Sequence, residues 1–417
     1  MAAEVDVPER NGYTPAADRH AAAEGPTHMA NTEATITRWL AGQEGAMRTL
    51  LRRLVGIDSG SYDKPGVDAV GAEIVRFLAQ HDIAVETRPQ AKHGDTLLAT
   101  VPAAGSGGNA GHILLMGHRD TVFPAGEAGR RPYTEQDGLA YGPGVADMKA
   151  GLVMNCFILA AFARFGGHPA PLVGLFTGDE EIGSPEGRPV IEAAAAGARA
   201  VLNSEPGRVS GNVVTGRKGG VFMSLRVTGR AAHAGGNFSE GISAIEELAH
   251  KILAIQALTD IDRGITLNVG LISGGQSVNT VAPWAEAQVD LRYILPDDRP
   301  EMMVRLNSIA SRSRVSGTSA ELVVRGEFLP LEQTPGAAKL FAAYATAAAA
   351  TGLSPGGEFT GGCADSGFTA RIAPTLCGVG PVGGKAHTPD EFLRLDTLVP
   401  RAQACARTIL RLDAAGL

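Results

Sequence analysis

Only four cysteines occur in 417 residues, and Cys156, Cys363, Cys377 and Cys405 show no metal-type spacing. A disulfide framework and a cysteine-based zinc knuckle are thereby excluded, and the thiols read as buried or free side chains of a reducing, cytoplasmic compartment. Blocks of basic residues are missing as well. The net charge is −7 and the pI about 5.8, which argues against nucleic acid as a partner. No apolar stretch runs uninterrupted for the roughly 20 residues of a bilayer span, so no membrane partner is expected. The N-terminal region is polar and Ala-rich, without an apolar segment of the kind a secretory signal needs. Residues 1–34 read as a disordered extension.

What is present is a set of acidic and imidazole side chains spread along the chain. His118 and Asp120 stand in HILLMGHRDT and Asp147 in YGPGVADMKAG. Glu180 and Glu181 follow in FTGDEEIGS, Glu205 in VLNSEPG, and His387 in GGKAHTPDE. Any one of these runs alone reads as an ordinary polar pair, a solvated helix face, a helix cap or a turn. Their placement argues for more. The apolar runs 113–117, 172–177 and 199–204 read as buried parallel strands, and each ends at or just before one of these residues. Open α/β sheets bind their ligands beyond the carboxyl ends of the strands. A mixed nitrogen and oxygen donor set suits zinc, and to a lesser degree cobalt or manganese. Together the runs point to a two-metal hydrolase.

The local chemistry fits that expectation. Gly142, Pro143 and Gly144 allow a tight turn before Asp147, which can cap the following helix while offering its carboxylate to a metal. Asp120, two residues past His118, is suited to orient that imidazole. Two cations can polarise an amide carbonyl and acidify water, but a carboxylate that binds no metal must carry the proton. Adjacent Glu180 and Glu181 can divide those jobs, and His233 can stabilise an oxyanion.

Between Glu205 and His387 lies a module of its own. Strand-like 221–229, helical 239–258, strand-like 265–273 and 285–295, helical 300–314 and strand-like 320–326 follow one another. That β-α-β-β-α-β order is ferredoxin-like. Since it interrupts the metal set, it is an insertion at 216–326 into a catalytic α/β domain made of 35–215 and 327–417, with a mostly parallel sheet flanked by helices.

The same motifs resemble the dizinc amidohydrolases that include carboxypeptidase G, acetylornithine deacetylase, succinyl-diaminopimelate desuccinylase and the aminoacylases. TGDEEIGS, NSEPG, GRKGG and AAHAG are most similar to the carboxypeptidase G branch. The resemblance implies two Zn²⁺ per subunit, with His118 and Glu205 on one, Glu181 and His387 on the other, and Asp147 between them. It further implies Glu180 as general base, Asp120 as the partner of His118, and a cis peptide at Asp147–Met148. The insert becomes a lid and homodimerisation domain. Arg292 and Arg325 match positions near the substrate carboxylate, while Asn279 and His233 resemble lid residues that reach the partner's active site. Gly361, Gly362 and Asp365 form a Gly-rich loop able to approach substrate. The expected substrate is an N-acyl amino acid or short peptide that releases a glutamate-like C-terminal residue. Deacylation of an N-acyl amino acid or dipeptide cleavage is the same chemistry, and a non-catalytic binding homologue is the contrasting expectation. Arg217, Lys218 and Asn212 depart from the carboxypeptidase G pattern, which bears on the residue released.

Overall fold

The computed structural model describes residues 26–104, 111–166 and 168–417, with backbone alone for 26–30. Eight strands form the larger sheet. Its centre is a parallel run of Leu172–Thr177, His112–His118, Ala198–Asn203 and Thr375–Cys377. These are the apolar segments of the sequence, and Ile113, Leu114, Leu115, Leu175, Val201 and Leu202 are all buried. Register aligns the strand ends, with His118 opposite Thr177. The loops that follow both strands therefore meet at one edge, where Glu205, two residues beyond Asn203, joins them.

The insertion has the expected form. Strands Gly219–Thr228, Thr266–Gly274, Trp284–Tyr293 and Ser319–Phe328 make a four-stranded antiparallel sheet. Helices Ala244–Gln256 and Asp298–Ser311 complete it. It has its own core, including Val221, Leu225, Leu248, Leu291 and Met302. Its sheet spans 219–328, beginning three residues inside the expected start at 216 and ending two residues past the expected end at 326. A small third sheet pairs Gly383–Gly384 with Phe392–Arg394, and the loop between them carries His387.

One expectation is corrected. Residues 1–25 lie outside the described part, but the expected disordered stretch includes the start of a helix, Pro26–Ala41. Ile36 and Leu40 bury completely, and Glu33 pairs with Arg407 of the helix Leu398–Leu410 and with Arg411 just past its end. The apolar residues are few, but they share a face, which is enough to dock a helix. Val145–Phe165 is by length and composition able to cross a bilayer, although Asp147, Lys149 and Arg164 interrupt its apolar residues. Here it lies almost wholly inside the protein, and its helix Ala150–Phe165 packs in the main core. A helix that is apolar all round is what such a position requires.

Candidate metal centre

The structure brings all five expected ligands together. Asp147 lies at the centre of the cluster: its Oδ1 is 3.2 Å from Nε2 of His118 and its Oδ2 is 3.4 Å from Nε2 of His387. Glu205 approaches His118 Nε2 to 3.6 Å, and Glu181 approaches His387 Nε2 to 3.1 Å. Donor atoms sharing one tetrahedral zinc at about 2.0–2.1 Å lie roughly 3.3 Å from one another. The observed spacings bracket that value. Buried Oε1 atoms of Glu181 and Glu205 have no hydrogen-bond partner among the described residues. The donor set, its spacing and these orphaned oxygens fit a pair of divalent cations.

Electrostatics agree. Burial, reinforced by Asp147, pushes Glu181 up to about 7 and also raises Glu205. Burial raises Glu180 well above its ordinary range, with Glu205 adding to the effect. Asp147 is held low in spite of burial, because it accepts from both imidazoles. Burial works against the His118 imidazolium, but Glu180, Asp120 and Asp147 outweigh it and raise its pKa well above normal. His387, held by Asp147 and Glu181, rises to about 10. So much negative charge in so little water calls for cations.

The supporting residues explain how the chain holds this geometry. Asp120 is fully buried, and its carboxylate accepts from the backbone N–H groups of Glu180 and Glu181, both at 3.1 Å, and from Ser61 Oγ at 2.7 Å. It positions the paired glutamates as well as the histidine. Towards His118 Nδ1 its backbone carbonyl is nearer, 3.0 Å, than its carboxylate, 3.4 Å. The expected carboxylate contact is therefore secondary to a carbonyl one. Asp179 accepts from the N–H groups of Glu186 and Gly187, which closes the loop after Glu181.

Asp147 does not cap the next helix: Lys149 holds the N-cap position of Ala150–Phe165, and no side chain caps that end. The Asp147 φ of −110° and ψ of 94° are non-helical, and the peptide to Met148 is cis, as the resemblance implied. The turn is held instead by Glu391, whose buried carboxylate accepts from Gly144, Ala146 and Asp147 N–H at 3.2, 2.8 and 3.0 Å. Gly144 there has a φ of 71°, a conformation that suits glycine. Sequence reading missed Glu391; its only signal was an acidic residue four positions after His387. Replacing a residue that orients a ligand commonly costs 10–100-fold in metal affinity, and Glu391→Ala is expected to lose about that much in chelator competition. Glu391→Gln, which keeps one acceptor oxygen, should recover part of it; unchanged affinity in both variants would remove Glu391 from the account.

A cavity of about 270 Å³ opens on the cluster, lined by Asp147, Glu180, Glu181, Glu205 and His387. Arg208, Arg217, Arg292, Gly362 and Cys363 line it too. Arg292 thus lies where expected, its Nε held by Asp290 at 2.8 Å. Arg217 is buried and donates through Nη1 to the carbonyls of Gly362 and Cys363, both at 3.2 Å, while Nη2 makes no hydrogen bond among the described residues. Other expected residues are elsewhere. Arg325 is not among the cavity's lining residues and donates to Ser224 Oγ at 2.9 Å on the inserted sheet. Gly361 is exposed and outside the lining, although its neighbours Gly362 and Cys363 belong to it. Asp365 is buried, accepting from Ser184 and Thr177, and does not face the cavity. Asn212 accepts from Gly356 N–H at 2.7 Å and serves a loop. His233 and Asn279 are exposed on adjoining loops of the insert, tied by Ala234 N–H donating to Asn279 O at 2.8 Å.

With both sheets and the ligand cluster in view, the class is defined: this chain belongs to the peptidase family M20/M25/M40, whose pattern matches residues 114–411. It is a hydrolytic enzyme of a metal-dependent metallopeptidase and amidohydrolase family. Among its relatives is carboxypeptidase G2 of Pseudomonas sp. (strain RS-16), 27% identical over 89% of this chain and 90% of that protein. An acetylornithine deacetylase from Edwardsiella ictaluri (strain 93-146) is 28% identical over 84% of this chain and 94% of its own length. In structure it is similar to a tripeptidase from Staphylococcus aureus, with a TM-score of 0.72, 22% identity, and coverage of 89% of this chain and 99% of the other. Identity is shared almost evenly between a carboxypeptidase and a deacetylase, so the reading of the substrate rests on the residues of the site.

Proposed function

We propose that this protein is a two-metal amide hydrolase that releases a C-terminal, glutamate-like amino acid from an N-acyl or peptidyl substrate, with Glu180 as general base. The observation that carries this reading is the division of Asp147, one oxygen towards each histidine. His118, Glu205 and Asp147 make one three-residue set, and His387, Glu181 and Asp147 the other. Three protein ligands leave a position open for chemistry, whereas a fourth would close it. Divalent cations bound there, zinc by the donor types and cobalt or manganese by the same logic, supply a Lewis acid and lower the pKa of water. Glu180 Oε2, 3.7 Å from His118 Nε2, is near enough to take the water's proton and hand it to the leaving nitrogen. Arg208, Arg217 and Arg292 face the same cavity and suit the carboxylates of an acidic amino acid. Release from N-acyl glutamates, N-acetylornithine and α- and γ-linked dipeptides tests the substrate. Acidic residues should be released fastest; preference for a basic one would replace the carboxypeptidase reading by a deacylase reading. The four cysteines, all free, are compatible with a cytoplasmic setting.

We also propose that the working form is a homodimer in which His233 serves the partner's site. His233 Nδ1 accepts from Gly235 and Gly236 N–H at 3.1 and 3.0 Å, which leaves the hydrogen on Nε2, ready to donate to an oxyanion. The outer strand Thr266–Gly274 leaves Leu271 and Ile272 about two-thirds exposed, an edge suited to a second copy. Mixing inactive Glu180→Gln with inactive His233→Ala subunits should restore part of the activity, because a mixed dimer holds one site with both residues intact. Absence of recovery despite demonstrated subunit exchange would refute action across the interface.

A further inference from the structure

A second hollow, of about 510 Å³, meets the metal-ligand cluster. Glu181 lines both this hollow and the cavity with the arginines, so the two adjoin at a proposed ligand. They differ in their cations and apolar walls. One carries three guanidiniums; the other is walled by Tyr62, Val122, Phe123, Pro124 and Ile182, and its charged lining residues, Asp63 and Glu181, are both acidic. Tyr62 is 82% exposed and Val122 44% exposed, so apolar surface is left in water right beside the centre.

The walls are anchored. Ser61 Oγ donates to Asp120, the residue that positions Glu180 and Glu181. Ser61 N–H donates to Thr121 O at 3.2 Å and Thr121 N–H to Ser59 O at 2.8 Å, which fastens the loop bearing Tyr62 to the one bearing Val122. Asp63 caps the helix Lys64–Ala79 through Gly66 N–H. Arg131 lies over the Phe123 ring, 4.8 Å from its centroid. A hollow braced in this way is preformed, which keeps the cost of binding low.

An amide substrate has two flanks. On the reading above, the guanidiniums take the carboxylate-bearing flank, and the acyl flank then extends across Glu181. We infer that the hollow between 60–63 and 121–125 is the acyl-side subsite and that it takes an apolar group, aromatic or medium-chain aliphatic. A charged acyl group such as succinyl meets two carboxylates and no cation there.

This inference rests on the amide-hydrolase reading, and the experiment keeps the two apart. kcat/KM is measured for N-acetyl, N-succinyl, N-hexanoyl and N-phenylacetyl conjugates of one amino acid. The hexanoyl and phenylacetyl compounds should exceed acetyl by roughly tenfold or more, as apolar pockets discriminate. Tyr62→Ala should shrink that ratio and Tyr62→Phe should preserve it. Equal rates across the series, or a preference for succinyl, would overturn the subsite. Should no conjugate be cleaved, the reaction assignment fails, and the hollow is then read by binding alone. Acetohydroxamic and phenylacetohydroxamic acids are compared by thermal unfolding of the metal-loaded protein. A larger rise with the phenyl compound, lost in Tyr62→Ala, supports the apolar subsite; equal rises, or a rise that Tyr62→Ala leaves intact, contradict it.

Discussion

Glu180→Gln is expected to lower kcat by about 10²–10⁴-fold, the usual worth of a positioned general base, while KM and metal content stay near those of the unaltered protein. The amide keeps the shape of the carboxylate but cannot accept a proton. Glu180 stands beside His118 and Glu205, close enough to be taken for a fourth ligand of that set. The variant separates the roles. Loss of one metal ion along with activity would make Glu180 a ligand; retention of more than about a tenth of the activity would reassign the base.

Asp147→Ala should be the most damaging change in the ligand set. Its two oxygens face both histidines, Oδ1 at 3.2 Å from His118 Nε2 and Oδ2 at 3.4 Å from His387 Nε2. Its removal opens both coordination spheres, so bound metal should fall from about two ions per chain towards none, and activity with it. His118→Ala and His387→Ala each disturb one set and should each weaken one ion preferentially. If Asp147→Ala lost no more metal than either histidine variant, the bridging role would be wrong.

His118, Glu180, Glu181 and Glu205 were legible as candidates because strand ends are legible, whereas the bridging role of Asp147 and the ligand role of His387 came from the family resemblance. A continuous apolar run followed at once by a polar ligand type has few structural meanings, and 113–117, 172–177 and 199–204 all became buried parallel strands. The insert was legible for the same reason: alternation in 285–295 and helical spacing in 239–258 each follow from one buried face. What escaped is what depends on distant segments meeting. Glu391 and Asp147 are 244 positions apart, and Ser61 and Asp120 are 59 apart. Asp147 looked like a helix cap because it precedes a helix, yet the turn spends its N–H groups on Glu391. Arg325 could not be excluded from the cavity by pattern alone, since which of two neighbouring positions faces in depends on a register shift between Val324 and Gly326. The docked part of the first helix was hidden by its sparse apolar residues.

Metal content tests the central claim most directly. The protein, loaded with zinc and freed of excess ion, is analysed for metal per chain by mass spectrometry alongside activity during stepwise chelation. Two bound ions per chain are predicted, with activity lost on chelation and restored by zinc or cobalt. One ion per chain with full activity would contradict a centre built around Asp147.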